Sequence, residues 1–299
     1  TVGSMMARLI LSALVPILFF VDNQPDGGRF FWGAIGLGIL AIICYMLCYN
    51  LTTERITIAD NKQQKMNLKT TLKGLGKNKP LLWILTSSLL IMLTQMLIGT
   101  VNVYLFKDYF ASTLALSIVG MLQAIAVFVL APFVKTLTSK FGKKEIASVG
   151  VSAAAIAYIA LYFLQGVNVW VFIGFTAIAM LGFGMFNIVV WAFVTDVIDY
   201  QELLTGIRED GTVYSIYSFA RKIGQALAGG LGGFAIAVIG YQSEKAVQTQ
   251  DVLDGIYVVS TLVPGVLFAV IALILIFLYP LNKKRVDQLA VDLASKRNQ

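Results

Sequence analysis

The chain has 299 residues, of which 58% are apolar and 13% charged, with a mean hydropathy of +0.80 and a formal charge of +7. Ordinary soluble domains carry fewer apolar residues and about twice the share of charged ones, so this composition fits a membrane. Histidine is absent and cysteine occurs only at Cys44 and Cys48, which excludes the usual metal-hydrolase and Ser-His-Asp constellations and gives no metal site to expect.

Crossing a hydrocarbon core of about 30 Å takes roughly 20 apolar residues in a helix. Eight such runs follow one another: Val2 to Val21, Phe30 to Asn50, Leu81 to Phe106, Thr113 to Val134, Ile146 to Gln165, Val169 to Thr195, Val213 to Gly240 and Ile256 to Tyr279. They are too long for strands and lack the alternation of a lipid-facing barrel, so the expected class is an all-α membrane protein of eight transmembrane helices. The first run is too long for a signal peptide and lacks a small-residue cleavage site. It starts within a few residues of Thr1, and the expectation is a chain cut from a longer one. Cys44 and Cys48, four apart in the second run, read as small polarizable packing residues. In the long polar stretch that follows, Lys62, Lys65, Lys69, Lys73 and Lys77 recur every three or four residues. Such a basic face suits a linker beside anionic headgroups better than a protein-binding element.

Two runs before that linker and six after it predict a twelve-span protein of two six-helix halves without its first four helices. The expected divisions are 1–50 for the last two helices of the N-terminal half, 51–80 for the linker, 81–280 for the C-terminal half and 281–299 for a tail. Substrate in such a plan binds at the midplane between the halves. Loop charge sets the orientation. Alternate loops hold 17 Lys and Arg against three, the three being Arg29, Lys107 and Lys245. By the positive-inside rule the rich set, including both termini, is cytoplasmic. No basic groove interleaved with aromatics exists, which excludes nucleic acid as the partner of the positive charge.

The most informative stretch is Asn187 to Gly233, which reads NIVVWAFVTDVIDYQELLTGIREDGTVYSIYSFARKIGQALAGGLGG. Ionisable groups in a span are expensive and need partners or water. Asp196 and Asp199 share a helical face, with Glu202 a turn later, and Arg208, Arg221 and Lys222 follow. Carboxylates of one helix and cations of the next can neutralise one another across a hairpin; equally, Asp199, Glu202 and Arg208 can be headgroup-level charges that snorkel to water. Lys222 lies roughly 13 Å along its run, near the midplane. Tyr214, Ser218, Lys222 and Gln225 recur at spacings of four and three and make one polar face, which suits a hydrated cavity. Asn187 and Trp191 sit opposite, four apart; an indole stacks on a sugar's C–H face while an amide bonds its hydroxyls, although Trp191 also suits packing or interfacial anchoring. Gly224, Ala228 and Gly232 form a small-residue stripe for close approach of another helix, in sliding or in static packing.

The strings DVIDYQE, TGIREDG and RKIGQAL, with Tyr214 and Phe219 between them, resemble the signature of the glycoside-pentoside-hexuronide:cation symporters, relatives of melibiose permease in the major facilitator superfamily. Lys140 to Lys144, KFGKK, is similar to that superfamily's basic loop. The resemblance implies the C-terminal part of a twelve-helix major facilitator fold and secondary active sugar:cation symport by alternating access. It implies no enzyme activity and no tightly bound cofactor, with Na+ or H+ as coupling cation. The implied partners are a small sugar and the bilayer of the cell membrane, with no obligate protein partner. Lys222 matches the family lysine associated with coupling cation and sugar, while Asp196, Asp199 and Arg208, with Glu202 beside them, match the charged network that closes the cytoplasmic side. Where melibiose permease has a tryptophan nine residues before the first Asp of this motif, this chain has Asn187, with Trp191 one turn later. The family's cation-binding carboxylates belong to helices outside this chain, and Arg8 is off the register of the arginine that opens the first span. The alternatives are an uncoupled facilitator and a transporter-like sensor.

Overall fold

The computed structural model describes residues 20–21, 24–25, 27–52, 75–242 and 248–297, and the chain divides into two compact units, residues 1–67 and 68–299. In the first unit, β1 (Phe20–Val21) pairs antiparallel with β2 (Gln24–Pro25), Phe20 opposite Pro25 and Val21 opposite Gln24. The last two residues of the first expected span are therefore extended; the rest of that span lies outside the described residues. The ring of Pro25 disfavours helical backbone at Gln24, in keeping with the extended pair. Helix α1 (Gly27–Leu51) follows and buries none of its residues. Its exposed Trp32, Tyr45 and Leu51 suit lipid or a further helix, and Cys44 and Cys48 are free and exposed on it rather than packed within the described residues.

The second unit is a bundle of long helices. They are α2 (Lys79–Tyr104), α3 (Thr113–Phe141), α4 (Lys143–Phe163), α5 (Val169–Thr205), α6 (Asp210–Val238) and α7 (Gln250–Leu273), with α8 (Lys283–Arg297) in the tail. A π-helical turn, Leu105–Tyr109, continues α2, and another, Ile274–Leu278, continues α7. Asn78, Ser112 and Asn168 cap α2, α3 and α5 by accepting from Leu81, Ala115 and Trp170 backbone N–H groups. With α1, the helices α2, α3, α4, α5 and α7 are six that are long and apolar enough to cross a membrane. The seventh expected span, α6, is a helix of 29 residues whose polar face keeps it out of that set. Most of the basic linker lies outside the described residues.

Around the bundle α6 packs on α2, α2 on α7, α7 on α4, α4 on α5 and α5 on α3. Glycine decides two of these contacts. A Cβ on Gly150 of α4 would lie 2.6 Å from the Gly182 carbonyl oxygen of α5, so the two backbones cross in direct contact. The stripe Gly224, Ala228 and Gly232 is buried and seats α6 on α2, where a Cβ at Gly224 would come within 2.8 Å of the Leu89 carbonyl oxygen. Gly229 and Gly233 are exposed.

The apolar run expected over Val169 to Thr195, with Asp196, Asp199 and Glu202 following on the same helical face, belongs to a helix that runs to Thr205 and stops at Gly206, whose left-handed backbone (φ 72°) and N–H bond to the Glu202 carbonyl form the C-terminal cap. The carboxylates of Asp196, Asp199 and Glu202 are paired along the helix side, as shown next, so they do not interrupt it. At 37 residues α5 is about 55 Å long and carries those carboxylates beyond the apolar stretch.

Candidate functional site

At one end of the second unit the charges are organised by two cations. Lys143, in the first turn of α4, places Nζ 2.6 Å from Oδ1 of the buried Asp196. Arg208, in the turn between α5 and α6, reaches Asp199 Oδ1 at 2.7 Å, Glu202 Oε2 at 3.0 Å and Asp210 Oδ2 at 2.8 Å. Burial would lower the affinity of the guanidinium for its proton, but hydrogen bonds to Asp199, Glu202 and Asp210 outweigh it and hold Arg208 above its ordinary pKa. The expected neutralisation of α5 carboxylates by Arg221 and Lys222 of α6 is thus replaced by Lys143 and Arg208. A lysine at a helix N-terminus opposes the helix dipole, and Asp196 offsets that disadvantage for Lys143.

The same end is tied by uncharged bonds. The buried Asn78 donates Nδ2 to Gln201 Oε1 at 3.0 Å, joining the start of α2 to α5, and Gln201 Nε2 donates to Glu209 at 3.3 Å. Lys144 donates to the Tyr279 carbonyl at 2.7 Å, Lys283 to the Ser139 and Lys140 carbonyls at 2.7 and 3.0 Å, and Lys296 to the Leu203 carbonyl at 3.1 Å. Lysines at helix C-termini satisfy carbonyls that have no intrahelical donor. At the opposite end, Tyr241 donates to Asp108 Oδ2 at 2.9 Å and Tyr257 to the Leu161 and Leu164 carbonyls at 2.7 and 3.0 Å. Burial, with the Asp108 contact second, pushes Tyr241 up to about 12.

Between the two ends lies an aromatic and polar ledge. Trp191 of α5 stacks on Tyr214 of α6, centroids 5.7 Å apart and planes at 23°, and meets the buried Tyr217 edge-on at 5.5 Å. The Arg221 guanidinium sits 5.6 Å from the Trp191 ring centre and 5.9 Å from that of Tyr217. Arg221 and Gln225 both approach Met92 Sδ of α2 at 3.7 Å. Lys222 is exposed and, among the described residues, has no ion pair or hydrogen bond, which leaves its ammonium to water, as a hydrated face allows. Ser218 and Asn187 are partly exposed on α6 and α5. A separate cavity of about 160 Å³ inside the bundle is lined by Gln95, Asn102, Tyr158, Phe183 and Phe268, with none of the expected site residues on its wall. No cluster of metal-ligating side chains occurs among the described residues.

Residues 1–283 match the family described as MFS/sugar transport protein. The chain belongs to this family of sugar transporters. It is 31% identical over 296 residues to the uncharacterised symporter YjmB of Bacillus subtilis, which covers 99% of this chain and 64% of that relative. It is 28% identical to a glucuronide carrier protein homolog of Escherichia coli (89% of this chain, 57% of the relative). It is 26% identical to the isoprimeverose transporter of Lactiplantibacillus pentosus (99% and 62%). The chain therefore spans less than two thirds of the length of these relatives. Their company bears out the resemblance to the glycoside-pentoside-hexuronide:cation symporters, and this sugar-transport family is not one of enzymes.

In the second unit, the structure brings Trp191 and Tyr214 together and gathers Asp199, Glu202 and Arg208 into one cluster. Asp196 belongs to a neighbouring pair, and Lys222 stands apart from both. Three participants escaped the sequence reading: Lys143 and Asn78, whose partners are 53 and 123 residues away, and the aromatic seat of Arg221. The first two left no local signal. Arg221 did leave one, because it follows Tyr214 by seven residues and so shares its helical face.

Proposed function

We propose that this chain is the C-terminal part of a twelve-helix sugar:cation symporter of the cell membrane, with eight spans, both termini cytoplasmic and the divisions 1–50, 51–80, 81–280 and 281–299. In this reading α6, about 43 Å long and seated along α2 by its glycine stripe, is the seventh span in spite of its polarity. Its polarity is functional, because a face that carries Tyr214, Ser218, Arg221, Lys222 and Gln225 suits a wet translocation path better than lipid. The observation that carries the proposal is the ledge itself: a stacked Trp191–Tyr214 pair beside two cations on a membrane helix, above an ion-paired end. Aromatic faces take the apolar side of a sugar ring, and polar neighbours fix its orientation.

Asp196, Asp199, Glu202 and Arg208, with Lys143, act as the cytoplasmic closure in this reading, since their bonds tie α4, α5 and the start of α6. Lys222, which has no acidic partner among the described residues, exchanges carboxylates of the N-terminal half with the coupling cation, Na+ or H+. Counterflow of labelled neutral and acidic sugars by the twelve-helix transporter in vesicles, with and without Na+ or a proton gradient, tests the proposal. Saturable uptake that needs an ion gradient for accumulation is expected, and Lys222→Ala should abolish accumulation. Uptake that persists unchanged without a gradient identifies a facilitator, and binding without counterflow identifies a sensor; either result sinks symport.

A further inference from the structure

The cavity of about 160 Å³ inside the bundle has two unlike walls. Its polar wall is Gln95 and Asn102, seven residues apart on one face of α2, with Gly99 between them. Asn102 is 6% exposed, and neither carboxamide makes a side-chain hydrogen bond among the described residues. Buried amides are costly without partners, so two of them on one cavity point to an occupant. The remaining wall carries three rings. Tyr158 and Phe268 stack with centroids 5.9 Å apart and planes at 23°, and Phe183 meets Phe268 at 6.4 Å. The hydroxyl of the buried Tyr158 also lacks a hydrogen-bond partner.

These walls limit what can fill the space. No charged side chain lines it, which disfavours an ion. Roughly 15 Å³ already admits a water, so one bridging water would leave most of the cavity empty, and a larger cluster would find few partners along three rings. An alkyl chain would leave both amides unpaired. The occupant that satisfies both walls has hydroxyls on its edge and an apolar C–H face, as a neutral pyranose does.

The cavity is also set apart from the ledge. On α2 it begins three residues beyond Met92, which touches Arg221 and Gln225. On α5 Phe183 precedes Trp191 by eight residues, roughly 12 Å toward the end where Tyr241 bonds Asp108. We infer that this cavity is a second carbohydrate site, where the Gln95 and Asn102 amides hold the hydroxyls of a neutral pyranose whose C–H face lies on the Tyr158, Phe183 and Phe268 rings. The transporter then binds two sugars, one at the ledge and one in the cavity. This goes beyond the sugar-transport reading, which needs one sugar at the ledge, and takes from it only that sugars reach the protein.

The test is equilibrium binding of radiolabelled methyl β-D-glucopyranoside to the twelve-helix transporter. Wild type should bind two sugars. Gly120→Leu fills the cavity from α3, where nothing lies within 4 Å of the Cβ position, and should leave one; Trp191→Ala strips the ledge and should leave the other. Asn102→Leu keeps the bulk of the wall without its amide and should weaken the cavity site by about 10-fold. In sugar-free protein the same variant should unfold at an equal or higher temperature, because it removes an unpaired polar group, and this holds the test open to refutation if Gly120→Leu does not fold. Three results would each overturn the inference: a single site, or none, in wild type that Gly120→Leu leaves unchanged; an isotherm unchanged by Asn102→Leu; or a lower sugar-free unfolding temperature for Asn102→Leu, which would mean that protein or water already bonds the amide. Gradient-driven uptake alongside any of these leaves the transport reading standing, whereas two-site binding without counterflow of any sugar removes that reading and keeps the cavity site.

Discussion

Loss of Lys143 and loss of Arg208 should differ in cost, although each residue serves the same ion-paired end. Asp196 is 5% exposed and receives its ion pair from Lys143, so Lys143→Ala leaves a buried carboxylate without its cation. Lys143 itself is 31% exposed at the side chain, so the cost is on the order of 2 kcal/mol, below the ~3–5 of a wholly buried pair. The Arg208 guanidinium and two of its carboxylates are about a third or more exposed, and water can replace much of what is lost. Thermal unfolding in detergent should therefore show a larger drop for Lys143→Ala than for Arg208→Ala, and Lys143→Met with Asp196→Asn should recover part of it. Equal drops, or no recovery in the double variant, would show that the Asp196 pair is no more buried in effect than a surface bridge. Local charge spacing announced Asp196, Asp199, Glu202 and Arg208 as a group. It could not say that Asp196 pairs across to α4, because that choice depends on which helices meet, and nothing within one helix records it.

Among the elements, α4 and α5 make the tightest crossing, and side-chain volume there is limited by backbone on both sides. A Cβ at Gly150 would press on the Gly182 carbonyl, which cannot rotate away as a side chain can. Gly150→Leu should cost on the order of 3 kcal/mol or more by overpacking, whereas Gly174→Leu on α5, with nothing within 4 Å of its Cβ position, should be tolerated. Folded yield and unfolding temperature of the two variants check this, and similar behaviour of both would mean that the helices meet elsewhere. The element boundaries explain how much of the fold could be read beforehand. Apolar runs located α1 to α5 and α7 because burial in lipid demands continuous hydrophobicity. In α5 the apolar run ends at Thr195, but the helical spacing of Asp196, Asp199 and Glu202 carries the helix on to its stop at Gly206. Helix α6 is the opposite case: its polar face weakens the membrane signal, and that same face holds the ledge where Trp191, Tyr214 and Arg221 meet.

Across the whole molecule, the bonds at each end show which loops lie together. Asn78 with Gln201, Lys283 with Ser139 and Lys140, Lys144 with Tyr279 and Lys296 with Leu203 gather one set of helix ends; Tyr241 with Asp108 and Tyr257 with Leu161 gather the other. The first end carries Lys79, Lys140, Lys143, Lys144, Arg208 and Lys283, and the second carries Lys107. An asymmetry of that size predicts that the first end is cytoplasmic. It can be tested by single-cysteine labelling after Cys44 and Cys48, both free and exposed, are replaced by serine to give a silent background. Asp251 and Lys284 are exposed at opposite ends and give the two reporters. In intact cells a membrane-impermeant maleimide should label Asp251→Cys and spare Lys284→Cys, and in inverted vesicles the pattern should reverse. The reversed pattern in intact cells would move the Lys143–Asp196 pair and the Arg208 cluster to the outer face, and with them the proposed cytoplasmic closure; labelling of both positions from one side would mean that α7 does not cross the membrane.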